Sequence, residues 1–400
     1  MKWLYITAAH HAHAQNVGLA LHEHDALGAW HSGWVFRGAG ANGEEPWRRR
    51  IEARTIRTVP GVLVHPHPRW EMIRFVARSI GLGATVEDLA WERGEHHLDR
   101  LGGRLVGADF DGILGFEHGC LASLKEARRF GKRTAVIFAS VHHSMRERWV
   151  DPEYRKRPDW VDASEEILLR RAVERDKRRD EEAHLADVVF GNSEFTGHSL
   201  TEGGIGPEKI RAIPLGLPSV VPAESGRKPG ELRVLYAGGV ALHKGFHYLQ
   251  EAFDQLDRRH FRLDVFGPVR VRREKLSHSG NICFHGAVPP GRLAEAWLES
   301  DVLVFPTLCD GFGQVVGQAL AHGLPVICSE NAGAVEFIRD GENGFRVRPA
   351  DAEAIRECLQ RCLDDRSRLD AMREGARATG ARWSWADFRS RWFEALGGVG

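Results

Sequence analysis

The chain has 400 residues, with 55 Lys and Arg balancing 55 Asp and Glu for a formal net charge of zero. That length exceeds what one hydrophobic core usually serves, so two domains are expected, and the balanced charge gives no support for nucleic-acid binding. Six cysteines without a CxxC pair read as buried thiols of a reducing compartment. Met1 to Ile6 is too short for a secretory leader, and no apolar run approaches the roughly 20 residues of a membrane span, which points to a soluble, cytoplasmic protein.

Trp3–Thr7 opens the first half as a strand, and a helix carrying Val17, Leu19, Ala20 and Leu21 follows. Ala8–Asn16 between them reads as a histidine-rich loop. Its imidazoles invite zinc, but no cysteine or carboxylate stands at a familiar ligand spacing. Hydrogen bonding of His10, His11 or Asn16 to a ligand and an inert loop are the remaining readings. Trp30, Trp34, Trp47 and Trp70, beside Arg48-Arg49-Arg50, make either an ordinary surface or an acceptor or membrane edge. Phe110–Gly115, Thr134–Phe138 and Asp187–Ser193 are further strands, and strands separated by helices imply a parallel sheet with ligands at its carboxyl edge. Asp109 and Asp111 resemble a metal-holding acidic pair, but they enter a strand at the end away from that edge. Glu117 and His118 follow one strand, His142 and His143 the next, so all four occupy sheet-edge positions. The charged stretch Ser164–His184 reads as a helix with a solvated face.

Residues 217–230, rich in Pro, Gly and polar residues, separate two strand-like runs and read as the interdomain linker. Beyond it, Glu231–Ala237 is a strand, Gly238-Gly239 a turn, and Lys244-Gly245 opens a helix with Phe246, Leu249, Phe253 and Leu256 on one face. Asp301–Pro306 is a buried parallel strand that leaves the sheet at its proline. Asp310-Gly311-Phe312-Gly313 then offers glycines where backbone can approach a ligand, and Gln314–His322 is a helix whose N-terminal N–H groups can hold an anion or a sugar hydroxyl. Leu324–Cys328 is the next strand, and Ala332-Gly333-Ala334-Val335-Glu336 a second small-residue turn. Ala381 onward, with Trp383, Trp385, Phe388, Trp392, Phe393 and Leu396, is an amphipathic helix.

These segments resemble the retaining glycosyltransferases of family 4, the group 1 type. Gly311-Phe312-Gly313, Gly323-Leu324-Pro325-Val326-Ile327, Gly333, Glu336, Ile338, Gly341, Asn343 and Gly344 fit the family pattern; Asp310 and Gln318 stand where it has a pair of glutamates. Lys244 fits the lysine of a "GR....KG" signature that grips the donor diphosphate, while Gly239 replaces its arginine, and Arg270, Arg272 or Arg273 is a candidate substitute. The resemblance implies a GT-B fold: two Rossmann-like α/β domains, residues 1–217 on the acceptor side and 218–380 on the donor side, a deep cleft between them, and a C-terminal helix at 381–400 crossing back to the first.

The same resemblance implies a hexosyltransferase that uses a nucleotide diphosphate sugar as donor and a saccharide, lipid-linked or small-molecule acceptor. It implies retention of configuration; Lys244 and the helix N-termini make a metal or other cofactor unnecessary, the balanced charge points to no nucleic acid, and the tryptophan–arginine surface leaves peripheral membrane contact open. Asp310, Lys244 and one of His142 and His143 are then the catalytic candidates. Gly238, Gly239, Lys244, Gly311, Phe312, Gly313, Gln314, Gln318, Gly333 and Glu336 would bind the donor, and His10, His11, Asn16, Glu117 and His118 would face the acceptor. A noncatalytic nucleotide-sugar binder and an epimerase or phosphorylase on the same fold are the alternatives. A dinucleotide dehydrogenase is disfavoured, because neither half has G-x-G-x-x-G after its first strand.

Overall fold

The computed structural model describes residues 1–37, 51, 54–57, 59–107, 109–220 and 230–397. Its first half contains β1 (Trp3–Thr7), α1 (Ala12–Glu23), β2 (Leu27–Ser32), a short pair β3 (Phe36–Arg37) and β4 (Thr55–Ile56), β5 (Val64–Pro66), α2 (Arg69–Ser79), α3 (Ala84–Leu105), β6 (Gly112–Phe116) and α4 (Leu121–Arg129). It continues through β7 (Arg133–Phe138), α5 (His143–Trp149), α6 (Asp151–Lys156), α7 (Ala163–Leu185), β8 (Val188–Gly191), α8 (Glu194–Glu202) and β9 (Ile210–Ala212). The second half runs β10 (Leu232–Ala237), α9 (Phe246–Asp254), β11 (Phe261–Phe266), β12 (Ile282–Gly286), α10 (Pro290–Glu299), β13 (Val302–Phe305), α11 (Gln314–Ala321), β14 (Val326–Ser329), β15 (Gly344–Val347), α12 (Ala352–Asp364), α13 (Arg366–Arg382) and α14 (Trp385–Gly397).

Every residue of β1, β6, β8, β13 and β14 is buried. Helices cover both faces of such strands, which is why their sequences run apolar without alternation. The first sheet has the order β5-β2-β1-β6-β7-β8-β9 and the second β12-β11-β10-β13-β14-β15, each wholly parallel. In both, the first strand is central and the chain walks to one edge before crossing to the other. The order therefore reverses between β1 and β6 and again between β10 and β13, and ligands bind α/β sheets at the carboxyl side of such a reversal.

Two segments join the halves. Leu217 is buried and donates its N–H to the Trp383 carbonyl (2.5 Å), so the outgoing and returning passes of the chain touch. The return leads into α14, where Trp392 stacks on Phe190 at 4.7 Å, Phe388 meets the His13 ring edge-on at 5.6 Å, and Arg389 bonds Glu23 and Asn16 at 2.8 Å each. On the other side of the cleft, Glu153 of α6 meets His247 of α9 at 3.2 Å, and the Arg272 N–H donates to the Trp160 carbonyl at 2.9 Å.

The structure corrects several expectations. The histidine-rich stretch is a loop only to His11, which caps α1 by accepting the Ala14 N–H through Nδ1 (3.3 Å); His13 and Asn16 are helical. The charged helix α7 is solvated on one face, where Glu166, Arg170, Glu174, Lys177 and Glu181 are exposed, but its other face carries charges into the domain. Glu182 is fully buried and accepts the Cys120 N–H (3.0 Å), Arg175 bonds Asp88 at 2.5 Å, and the Arg179 Nε donates to Glu117 at 2.7 Å. Trp30 is buried beneath α1 rather than at a surface edge, while Trp47, Arg48–Arg50 and linker residues 221–229 lie outside the described residues. Among the described residues no helix is long and apolar enough to cross a membrane.

Candidate active site

The carboxyl ends of β10 and β13 open on a pocket of about 280 Å³ between the domains. Its first-domain wall is His11, His13, Ala139, Asn192 and Leu215; its other wall is Tyr236, Ala237, Gly238, Lys244, Phe305, Asp310, Phe312 and the start of α11.

Lys244 and Asp310 meet there, Nζ to Oδ2 at 2.5 Å. Lys244 ends a tight turn, Leu242–Lys244, which is pinned to the exit of β13 because the His243 carbonyl accepts from the Leu308 N–H (3.0 Å) and the Thr307 hydroxyl (3.2 Å). Asp310 is held by its own backbone, which donates to the Asn331 carbonyl (2.9 Å) and accepts the Gly333 N–H (3.0 Å), while its Oδ1 accepts the Phe312 N–H (3.1 Å). Gly313, in the left-handed region at φ +88°, turns the chain into α11, whose Gln314 and Val315 line the pocket while the Val316 N–H bonds back to the Gly313 carbonyl (2.9 Å). Fixed lysine charge and helix dipole thus converge on one space, an arrangement that favours an anion.

The turn after β10 supplies the rest. Tyr236, buried, donates its hydroxyl to the Gly239 carbonyl (2.8 Å); burial and then the Asp310 carboxylate hold its phenol protonated well above the ordinary range. A side chain at Gly239 would begin 3.8 Å from the Arg270 Nε, so an arginine from the loop after β11 stands beside the vacant position. Arg272 instead donates its Nε to the Val161 carbonyl at 3.0 Å, and Arg273 starts a separate turn, Arg273–Lys275.

Gly311 and Gly333 also make room for a contact between the domains. A Cβ on Gly311 would stand 2.7 Å from the Ala139 carbonyl oxygen, and one on Gly333 would stand 2.1 Å from the Gly311 carbonyl oxygen. That carbonyl accepts the hydroxyls of Ser193 (2.6 Å) and Thr196 (3.1 Å), so the two glycines let the donor-side loop seat on the first domain.

Of the acceptor-side candidates only His11 lines the pocket. His10 lies 3.8 Å from Glu71, and the Asn16 side-chain oxygen is taken by Arg389. Glu117 accepts the N–H groups of Ala139 (3.0 Å) and Ser140 (2.9 Å), fixing the loop that forms the wall. His118 is buried against Trp91, and burial followed by His96 pulls its pKa down to about 3. His142 and His143 turn away and share the Asp180 carboxylate at 3.1 and 3.0 Å. Gln318, a turn beyond Gln314 on α11, does not line the pocket, and neither does Glu336. Two groups of described side chains could each bring three atoms to a metal ion, Glu92–His96–His118 and His142–His143–Asp180; neither is in the pocket.

Sequence reading misses Tyr236, which looks like one more strand residue, and His13, whose burial brings its pKa down to about 3 so that it lines the pocket as a neutral ring. It also misses that Asn192 bonds the Ala139 carbonyl (2.8 Å) behind the wall.

Two doubly wound parallel sheets facing one cleft, with a C-terminal helix returned to the first, are the GT-B architecture. The match is measurable along the whole chain: HepE from Anabaena, solved in complex with UDP, superposes with a TM-score of 0.61 at 14% identity over 100% of both chains. Sucrose-phosphate synthase from Thermosynechococcus elongatus gives 0.61 at 18% identity over 100% of this chain and 99% of that one. Residues 221–379, in the half that carries Lys244 and Asp310, match the family model of glycosyl transferases group 1.

Curated relatives agree over part of their length. The sulfoquinovosyl transferase SQD2 of Arabidopsis thaliana is 27% identical over 40% of this chain and 32% of its own. A D-inositol 3-phosphate glycosyltransferase of Acidothermus cellulolyticus is 28% identical over 50% of this chain and 52% of its own. The chain thus spans about half or less of these relatives.

Proposed function

We propose that this protein is a glycosyltransferase of the family 4 kind, which moves a sugar from a nucleotide diphosphate sugar to an acceptor hydroxyl in the interdomain pocket, with retention of configuration and without a metal. The observation that carries this reading is the Lys244–Asp310 pair at the N-terminus of α11. Asp310 is the counter-ion of Lys244. A donor diphosphate takes over that ammonium and frees the carboxylate for the sugar.

During transfer the acceptor oxygen bonds to the anomeric carbon as the bond from that carbon to the phosphate oxygen breaks, and the acceptor proton passes to the departing diphosphate on the same face. Charge grows on the leaving group, so Lys244, Arg270 and the α11 N–H groups stabilise the transition state more than the ground state. Asp310 faces the positive charge at the anomeric carbon. Closure of the two walls of the pocket over a bound donor would exclude water.

The test begins with a thermal-shift panel of UDP, GDP and ADP sugars, with UDP-glucose first because a HepE structure holds it. The best binder is then incubated with saccharide and lipid-linked acceptors, and glycosylated product is measured. Binding that Lys244→Ala weakens, together with acceptor-dependent release of the nucleotide diphosphate, supports the reading. Binding without turnover supports the nucleotide-sugar binder, conversion of free donor without acceptor an epimerase, and turnover that requires inorganic phosphate a phosphorylase.

A further inference from the structure

Of the eleven large apolar side chains exposed among the described residues, eight lie between Val62 and Val86. Met72, Ile73, Phe75 and Val76 project from α2, and Ile80 and Leu82 from the loop after it; only Ala77 of α2 is buried. Single exposed apolar residues are ordinary on a protein surface, but their concentration on one helix and its exit loop is not.

Alongside lies a basic stripe. Arg93, His97, Arg100 and Arg104 of α3 recur at steps of four, three and four, and all are exposed. Arg69 at the start of α2 joins them, since after desolvation it is Arg100, Arg69 and Arg104 that hold the His97 pKa below its ordinary value. No carboxylate of the described residues pairs with any of these four arginines, while the carboxylates nearby are turned to other partners: Glu71 to Arg54 (2.5 Å), Glu87 to Arg78 (2.7 Å) and Asp88 to Arg175 (2.5 Å). A groove of about 600 Å³ between Met72, Ile73 and His97 separates the apolar and basic strips.

We propose that this face rests on an anionic lipid bilayer. Apolar side chains without a fixed complementary shape, bordered by cations whose acidic neighbours are otherwise engaged, suit the headgroup–acyl boundary, where burial needs no directional partner and each arginine gains from the negative surface potential. The groove begins at Pro66, where β5 ends, so the lipid would meet the same carboxyl edge of the first sheet from which Ala139 reaches the pocket. The docking surface stands independently of the transfer reaction, because its test reads binding alone.

The probe is flotation of the full chain with vesicles of phosphatidylcholine alone or with phosphatidylglycerol added. Wild type is expected to float only with the anionic vesicles. Arg100→Ala with Arg104→Ala should cut partitioning by about 25-fold, at about fivefold per arginine, and Ile73→Ser with Val76→Ser by about tenfold or more. All four positions are in the exposed or half-open part of the helices, and an unchanged unfolding midpoint shows that the variants fold. The proposal is overturned if wild type ignores anionic vesicles, if it floats equally with neutral ones, or if both double variants bind as wild type does. Sedimentation showing a wild-type dimer that Ile73→Ser with Val76→Ser dissociates would assign the face to a second copy and overturn it too.

Discussion

Lys244 and Asp310 form one unit, each the other's counter-ion. Lys244→Ala should lower kcat by about 10²–10³, as loss of one preorganised charge-stabilising donor does; turnover equal to wild type in a folded variant would remove Lys244 from the mechanism. Arg270→Ala should weaken binding of the nucleotide diphosphate itself by about tenfold, measured by calorimetry, because a charge-assisted bond to phosphate is worth on the order of 1.5–3 kcal/mol. Lys244 is legible from its spacing to Gly238-Gly239. The partner for the empty arginine position is not, because three arginines follow β11 and only the pairing of β10 with β11 decides which one lies beside Gly239. The histidines after β7 mislead for a related reason. Position at a sheet edge is visible in sequence, but the direction of a side chain there depends on Asp180, which arrives from α7.

Among the elements, the parallel strands are the most legible, since an uninterrupted apolar run ending in proline or glycine fits little besides a sheet covered on both faces. Their loops are legible as small-residue turns, but not what the small residues make room for. Gly311 and Gly333 admit the Ala139–Ser140 loop and the Ser193 hydroxyl of the other domain. Gly333→Ala should therefore destabilise the chain by about 1–3 kcal/mol in urea titration, as overpacking does, and Ser193→Ala should reduce catalysis without that steric cost. A Gly333→Ala chain as stable as wild type would show that the domains do not close this tightly. Helix α7 gives the other lesson of this scale. Its charges are obvious and their burial is not, because Asp88, Asp99 and Glu117 lie on α3 and the loop after β6. Arg179→Ala takes the cation from Glu117, leaving its carboxylate only the Ala139 and Ser140 donors, and should cost roughly 3–5 kcal/mol in urea titration.

Across the whole molecule, Glu336 sits where three parts meet. It follows the Gly333 contact, faces the Glu194 carboxylate at the start of α8, and feels Arg391 of α14; its Oε1 is buried without a hydrogen-bond partner. Burial, then Glu194, push its pKa up from 4.5 to about 7. A carboxyl that holds its proton more tightly when folded contributes fully below its unfolded value, and that contribution is lost as pH rises through the folded one. Stability through this group should fall between pH 4.5 and about 7, by about 3 kcal/mol at most. Glu336→Gln should flatten that slope in unfolding measured across the range, and an unchanged slope would place the proton elsewhere.

The touch between Leu217 and Trp383 limits how the polypeptide can be divided. Stopping translation after the first sheet would leave Phe190 and His13 without the aromatic cover that α14 brings from the far end of the sequence. An autonomous first domain would have to be spliced, with residues 384–397 grafted behind residue 217 through a short bridge. Conversely, trimming the tail should injure the half of the protein to which it is not contiguous, while residues 230–382 keep their own sheet and helices intact.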